Sequence, residues 1–181
     1  MKNKKWYQES EMLVALSAIF ISICALVATI YEANLERQNQ LLSVWPRIII
    51  QTNTGDHEYS ISAVNKGLGP ALIKTAKVTV DGKEANSWQE VFKELGVSDA
   101  YSQNSNELSS SIISRNEAVP AIEIKSAKVG KKLRKESKRI DVEICYCSVY
   151  DDCWLVSKSE QYKPVEQCVT LKNLAEGRSL F

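Results

Sequence analysis

Four cysteines in the last third of the chain carry its most reactive side chains. Three of them, Cys145, Cys147 and Cys153, lie in the stretch ICYCSVYDDCW, and the fourth is Cys168. Four thiols can form two disulfides, in any of three pairings, or hold a structural zinc ion. A dithiol redox site would require a C-x-x-C motif, which the sequence lacks.

The spacing of these cysteines favours disulfides over zinc. Structural zinc sites use cysteine pairs separated by two to four residues, whereas the intervals here are one, five and fourteen residues. In a strand, Cys145 and Cys147 point to the same face, so they do not easily bond to each other. We therefore favour a Cys147–Cys153 bond across a hairpin and a Cys145–Cys168 bond. Zinc binding and free buried thiols are the alternatives.

No set of catalytic residues is recognisable. The single histidine, His57, lies in the turn GDHEY, and the sequence has no nucleophile elbow of the G-x-S-x-G type. The glycine-rich stretch NKGLGPA, residues 65–71, lacks the Lys-Ser/Thr of a phosphate-binding loop. We expect it to be a tight turn in which glycine supplies a positive φ. We expect no enzymatic activity and no cofactor, and a hydrolase built around His57 is the remaining alternative.

The strongest local excess of charge is a basic stretch at residues 125–139, which contains eight basic residues and one acidic residue. Such a stretch can contact anionic headgroups or a polyanionic polymer. The alternative is a solvated loop or short helix, with Val129 and Leu133 as its apolar anchor. The candidate anion-contact residues are Lys128, Lys131, Lys132, Arg134 and Lys135.

An apolar segment near the start of the chain decides in which compartment these residues lie. Residues 12–31, MLVALSAIFISICALVATIY, contain no charged residue, glycine or proline. Twenty helical residues rise about 30 Å, the thickness of the hydrocarbon core of a bilayer. The segment is longer than the apolar part of a signal peptide and has no Ala-x-Ala site at its end. We therefore predict an uncleaved, single-pass transmembrane helix whose partner is the lipid bilayer.

The charges that flank this segment indicate its orientation. Lys2, Lys4 and Lys5 precede it, whereas the short segment that follows contains Arg37 as its one basic residue. Because cytoplasmic flanks carry the excess of Lys and Arg, we place the N-terminus in the cytoplasm and the C-terminal domain outside it. Disulfides persist in such an oxidising compartment. Residues 45–181 contain 19 basic and 18 acidic residues, and this balance argues against a nucleic-acid partner.

Small residues recur in the transmembrane segment at alternating intervals of three and four, which places them on one side of the helix. Such a stripe lets two helices approach closely, so it predicts a homodimer or contact with a partner membrane helix. The alternative is that the pattern reflects composition only. The residues of this small-residue stripe are Ala15, Ala18, Ser22, Ala25 and Thr29.

Helix formers continue beyond the apolar segment to residue 42, and Pro46 ends the helix. Alternation with a period of two then predicts strands, and one amphipathic helix is predicted at 87–96 with Ser87 as its N-cap. Its buried face contains Trp88, Val91, Phe92 and Leu95. The predicted strands are 47–53, 57–65, 71–82, 111–114, 119–125, 141–150, 153–158 and 167–172.

This series of short strands with one inserted helix predicts an immunoglobulin-like β-sandwich, and an α+β fold is the alternative. The predicted organisation comprises a cytoplasmic N-terminus, a transmembrane helix, a helical stalk, an extracytoplasmic β-rich domain and a loose tail. Their ranges are 1–11, 12–31, 32–45, 46–172 and 173–181 respectively.

Two short motifs resemble a broad group of small bacterial proteins that are anchored by a single membrane span. The first is S-V-x-P at 43–46 followed by N-x-G-x-G-P-A at 65–71, and the second is Y-C-S-V-Y-x-x-x-W at 146–154. The resemblance implies a bacterial cell envelope and supplies no activity. We place the transmembrane helix in the inner (cytoplasmic) membrane. We expect an extracytoplasmic interaction module, such as an accessory subunit of an envelope complex. The alternative is a membrane-tethered sensor or binder of a small or polyanionic ligand.

Overall fold

The computed structural model describes residues 10–55, 58–97, 103–159 and 162–168. The chain divides into two compact units, Met1–Leu42 and Ser43–Phe181. The described part of the first unit is one helix. The last residue of this helix, Ser43, is the first residue of the second unit. The second is mainly β. The predicted fold class, an apolar N-terminal helix followed by a mainly β domain, is therefore confirmed.

Helix α1 (Ser10–Ser43) is 34 residues long and none of its residues is buried within the protein. At 1.5 Å per residue its length is about 51 Å, which exceeds the hydrocarbon core of a bilayer. By length and composition α1 can cross a membrane. It runs without interruption through the residues predicted as transmembrane helix and through most of the predicted stalk.

The second unit contains ten strands and two short helices in the part of the chain that is described. The helices are α2 (Trp88–Glu94) and α3 (Ala127–Glu136). The strands, in chain order, are β1 (Ile48–Thr54), β2 (Tyr59–Asn65), β3 (Ala71–Val80), β4 (Lys83–Ala85), β5 (Gln103–Asn104), β6 (Ile112–Ile113), β7 (Ala118–Ile124), β8 (Ile140–Cys147), β9 (Cys153–Ser157) and β10 (Lys163–Val165).

These strands form two sheets, and every pairing between them is antiparallel. The four-stranded sheet has the order β1-β2-β7-β5. The six-stranded sheet has the order β10-β9-β8-β3-β4, and β6 also pairs with β3. The longest ladder joins β3 to β8, which are adjacent in the sheet although about 60 residues separate them along the chain.

One hydrophobic core contains side chains from both sheets. Ile61 and Ile122 belong to the four-stranded sheet, Ile73 and Ile144 belong to the six-stranded sheet, and all four are essentially inaccessible to solvent. Burial of such side chains is the main favourable term in folding, at about 1.5–3 kcal/mol each. The core therefore fixes which strands become neighbours and which of their edges remain free.

Helix α2 lies within the predicted range 87–96 and has the N-cap and the buried face that its sequence predicts. The side chain of Ser87 accepts a hydrogen bond from the backbone N–H of Glu90 at 3.3 Å, which caps the first turn. The four predicted apolar residues are buried. Gly96 follows the helix with a φ of +64°, a conformation in which glycine avoids the penalty of a Cβ atom.

The basic stretch forms α3, the short helix of the alternative prediction, and its apolar anchor residues Val129 and Leu133 are buried. The structure differs from the predicted elements where segments are short. Residues 167 and 168 are not in a strand, and the rest of the predicted strand 167–172 lies outside the described residues. Strands β4, β5 and β10 were not predicted, because two or three residues are too few to establish a period.

Candidate functional site

A groove of about 340 Å³ lies beside β1, the edge strand of the four-stranded sheet. One wall comes from β1 and the residue before it, and the other from β9 and Tyr162. We call this feature the β1 groove. Its aliphatic lining consists of Ile48, Ile49, Ile50 and Val156, and its polar lining of Arg47, Ser157 and Tyr162.

Arg47 supplies the positive charge of the β1 groove. Its side chain is exposed, and the guanidinium carbon lies 5.9 Å from the centroid of the Tyr162 ring, within the range of a cation–π contact. Tyr162 in turn stacks on Trp154, with ring centroids 6.2 Å apart. Among the described residues no acidic side chain forms an ion pair with Arg47. Its guanidinium can therefore bind an external carboxylate, because its N–H donors match the geometry of the two carboxylate oxygens.

The side chain of Asn65 positions the backbone at the start of the groove. Its Oδ1 accepts hydrogen bonds from the backbone nitrogens of Arg47 at 3.1 Å and Gly67 at 2.9 Å. Its Nδ2 donates to the carbonyls of Gly69 at 2.8 Å and Ile113 at 2.9 Å. The amide is fully buried, and these four bonds use all of its hydrogen-bonding capacity.

Two glycines allow the residues before β1 to approach the turn after β2. A Cβ atom on Gly67 would lie 2.3 Å from the backbone nitrogen of Arg47, and one on Gly69 would lie 2.0 Å from the carbonyl oxygen of Val44. Neither glycine has a positive φ. The expectation of a positive φ in this turn was therefore wrong, and the physical reason for glycine is close backbone contact.

Two disulfides connect the four cysteines of the second unit. The Sγ atoms of Cys145 and Cys168 are 2.09 Å apart, and those of Cys147 and Cys153 are 2.10 Å apart. These are the two pairs that the spacing favours over zinc ligation and over free thiols. Cys147 and Cys153 stand directly opposite each other in the β8–β9 ladder, with Cα atoms 4.0 Å apart.

The two disulfides lie close together on the face of β8 that points away from the core. Alternation along the strand directs Tyr146 into the core and the neighbouring cysteines to the other face. The Sγ atoms of Cys147 and Cys168 are 3.7 Å apart, although they belong to different bonds. The pair therefore holds the segment around Cys168 against the outside of the six-stranded sheet.

The five candidate anion-contact residues all lie on α3 and are exposed. Two of them form hydrogen bonds to backbone carbonyls. Lys132 donates to Gly96, and Arg134 Nη2 donates to Thr54 at 3.1 Å and to Gly55 at 2.6 Å. These bonds attach α3 to the end of β1 and to the residue that follows the C-cap of α2, so Lys132 and Arg134 have a structural role in addition to their charge.

The small-residue stripe lies on α1, where all its members are exposed. Ser22 Oγ donates to the Ala18 carbonyl at 2.8 Å, and Thr29 Oγ1 donates to the Ala25 carbonyl at 2.9 Å. These hydroxyls therefore have hydrogen-bond acceptors within their own helix, which is the arrangement that polar groups need in apolar surroundings. His57, the centre of the hydrolase alternative, lies outside the described residues.

Burial determines the ionisation of Tyr146, a core residue next to Arg47, Ile48 and Tyr162 of the groove. It raises the pKa of Tyr146 to about 12, while contact with the Ile48 backbone and the charge of Arg47 act in the opposite direction. Tyr146 therefore stays neutral at ordinary pH. The groove combines an aromatic and aliphatic lining with one exposed guanidinium.

Sequence reasoning did not identify Arg47 or Tyr162 as site residues. One signal was present, because Arg47 is the single charged residue of the predicted strand 47–53. The fold and the groove together define a class, namely a mainly β domain with a surface groove that follows a long apolar helix. No protein family, curated protein or solved structure matches the chain.

Proposed function

We propose that this protein is a membrane-anchored module that binds a partner outside the cytoplasm through the β1 groove. The observation that carries the proposal is the lining of the groove, in which four aliphatic side chains lie beside the exposed Arg47, and no acidic side chain of the described residues forms an ion pair with Arg47. Such a surface suits a ligand that has apolar groups and a carboxylate. The two sheets with a common core support an immunoglobulin-like sandwich as the scaffold.

The proposed location is the inner (cytoplasmic) membrane, with the N-terminus in the cytoplasm and the β domain outside it. Helix α1 supports the anchor, since it is long and apolar enough to cross a bilayer. The two disulfides support an oxidising compartment for the domain. An impermeant maleimide applied to intact spheroplasts tests this topology. The domain cysteines should be labelled only after addition of a reductant, and labelling that requires lysis would contradict it.

Site-specific photocrosslinking tests the binding function in cells. A photoreactive residue in place of Ile49, in the groove, should give a discrete crosslinked product that Arg47→Gln diminishes. The matched control is the same residue in place of Glu84, an exposed position on β4. Equal products from both positions, or none from Ile49, would contradict the proposed function.

A second candidate function is binding of a polyanion by α3, whose five basic side chains are all exposed on one helix. Lys131 and Lys135 allow a clean test, because neither forms one of the backbone hydrogen bonds that attach α3. Replacement of both by Gln should weaken binding to heparin and reduce its salt dependence. Binding that is unchanged in the double variant excludes this candidate.

We also propose that α1 associates with a second α1 or with a partner membrane helix through the small-residue stripe. Large side chains on the stripe would keep the backbones apart. Ala18→Leu with Ser22→Leu should therefore abolish energy transfer between labelled copies in membranes. Ser17→Leu makes a similar change off the stripe and is the control. Unchanged energy transfer in the double variant would show that the small residues reflect the composition of the helix and do not form an interface.

A further inference from the structure

We propose that the partner enters the β1 groove as an extended peptide segment that adds to the free edge of β1 as a further antiparallel strand. The inference rests on the proposed function and specifies the kind of partner. Added strands bind through main-chain hydrogen bonds, and alternate side chains give specificity. The other conceivable occupant is β1 of a second copy of this chain, which the experiment below distinguishes.

Strand β1 differs from the other edge strands of the described sheets in its length and in having neither charge nor proline; of its outward-facing groups, the carbonyl of its last residue, Thr54, accepts a hydrogen bond from Arg134. Natural proteins protect edges by keeping them short or by placing lysine and proline on them. Strands β5 and β6 have two residues each, and β4 and β10 have three. β4 contains Lys83 and Glu84, and β10 contains Lys163 and Pro164. β1 has seven residues, IIIQTNT, with neither charge nor proline.

The register of β1 shows which of its backbone groups face the groove side. The Lys66 N–H donates to the Arg47 carbonyl at 2.7 Å, so the backbone of Arg47 points towards β2. Because this direction alternates in an antiparallel ladder, the N–H and C=O groups of Ile50 and Thr52 point away from β2. No described strand pairs with β1 on that side. These groups can therefore hydrogen-bond to an incoming strand.

The opposite wall of the groove suits the side chains of such a strand. Side chains of an extended segment alternate between two faces, so every second one would point towards the aliphatic lining. Val156 and Tyr162 form the wall across from the isoleucines of β1. The segment should therefore carry apolar residues at alternate positions, and their burial adds to the main-chain hydrogen bonds.

Arg47 determines where the segment should carry a negative charge. It immediately precedes Ile48, the first residue of β1. A strand that runs antiparallel to β1 therefore ends beside Arg47. We expect a carboxylate there, which can come from an acidic side chain near the end of the segment or from a free C-terminus. Either source matches the guanidinium.

The test uses the purified full chain in lipid nanodiscs and synthetic decapeptides with alternating Val and Thr. One peptide has a free C-terminal carboxylate, a second is amidated with Asp as its penultimate residue, and a third is amidated without an acid. We expect the first or the second to bind about tenfold more tightly than the third, and the stronger of them identifies the source of the carboxylate. Arg47→Gln should remove the advantage, so that the three peptides bind with similar affinity.

Two further measurements establish strand addition. The binding peptide should slow hydrogen exchange of the amides of Ile50 and Thr52, and N-methylation of alternate residues in the peptide should abolish binding. Equal binding of the N-methylated peptide, or no protection of β1, would overturn the proposal. Concentration-dependent pairing of β1 with a second copy, which the peptide does not displace, would also overturn it.

The experiment separates this inference from the proposed function. If all decapeptides fail while the crosslink from position 49 persists in cells, strand addition is wrong and the groove still binds a partner of another shape. If the crosslink is also absent, the proposed function fails as well. The peptide measurement needs no cellular partner, so the two results are independent.

Discussion

The Oδ1 atom of Asn65 lies 3.1 Å from the backbone nitrogen of Arg47, and this hydrogen bond ties the start of the β1 groove to the end of β2. The two residues are 18 positions apart in the chain. Arg47 could not hold a fixed position beside Tyr162 if the backbone before β1 were free to move. Asn65 thus fixes the backbone of a groove residue, although its own side chain does not line the groove.

We predict that Asn65→Ala destabilises the domain by about 3 kcal/mol. The substitution removes four hydrogen bonds and leaves buried backbone groups without a partner, each of which costs about 1–3 kcal/mol unless water enters. Urea unfolding followed by tryptophan fluorescence measures the change. Asn53→Ala, at an exposed position of β1, should change stability by less than about 0.5 kcal/mol. Similar effects of both substitutions would contradict the role of Asn65.

The close approach of Gly69 to Val44 leads to a second prediction. Gly69→Ala should cost about 2 kcal/mol or more, because its Cβ would overlap the Val44 carbonyl and backbone cannot move as a side chain can. Gly55→Ala is the control, since the nearest atom to a Cβ there is 3.7 Å away. Thermal or urea unfolding of both variants gives the comparison. If Gly69→Ala left the stability unchanged, the segment before β1 would be able to shift without a loss of stability.

The two disulfides should stabilise the domain unequally. They close loops with sequence separations of 23 and 6 residues, and the entropy that a cross-link removes from the unfolded chain increases with loop length. We expect a loss of about 3.4 kcal/mol for Cys145→Ser with Cys168→Ser and about 2.2 kcal/mol for Cys147→Ser with Cys153→Ser. Urea unfolding of the two double variants measures both. The reverse order would indicate that native contacts, rather than loop entropy, dominate.

Stability should decrease at alkaline pH through the buried tyrosines. The pKa of Tyr146 is raised to about 12 in the folded protein, mainly by burial, and Tyr59 has the same shift. The unfolded chain therefore loses these protons near pH 10 and the folded chain does not, so stability is full below about pH 10 and falls between about pH 10 and 12. We expect Tyr146→Phe to reduce this decrease by about 1–2 kcal/mol.

Unfolding by urea at pH 8 and pH 11 checks this expectation. Measurements in a Cys24→Ser background exclude disulfide exchange, because Cys24 is the free cysteine of the chain. Tyr150→Phe, at an exposed position, should leave the pH dependence unchanged. A pH dependence that is equal in wild type and Tyr146→Phe would show that other groups cause it.

Local sequence patterns were sufficient to predict helices α1 and α2. The apolar run of α1 and the Ser87 cap with its amphipathic face are contained in consecutive residues, where backbone geometry alone relates the side chains. The favoured cysteine pairs also follow from local rules, because alternation forbids a Cys145–Cys147 bond and a hairpin brings Cys147 to Cys153. Short elements such as β5 left no such pattern.

What the sequence by itself determined is therefore the anchor-like helix, the β class of the domain and the common face of Cys145 and Cys147. Only the tertiary structure decided that β1 is an edge strand and that Arg47 meets Tyr162, which stands 115 positions later in the sequence. The physical reason is that strand order results from packing distant apolar residues into one core. The same IIIQTNT segment could occupy a central or an edge position, and the core determines which of its edges is left free.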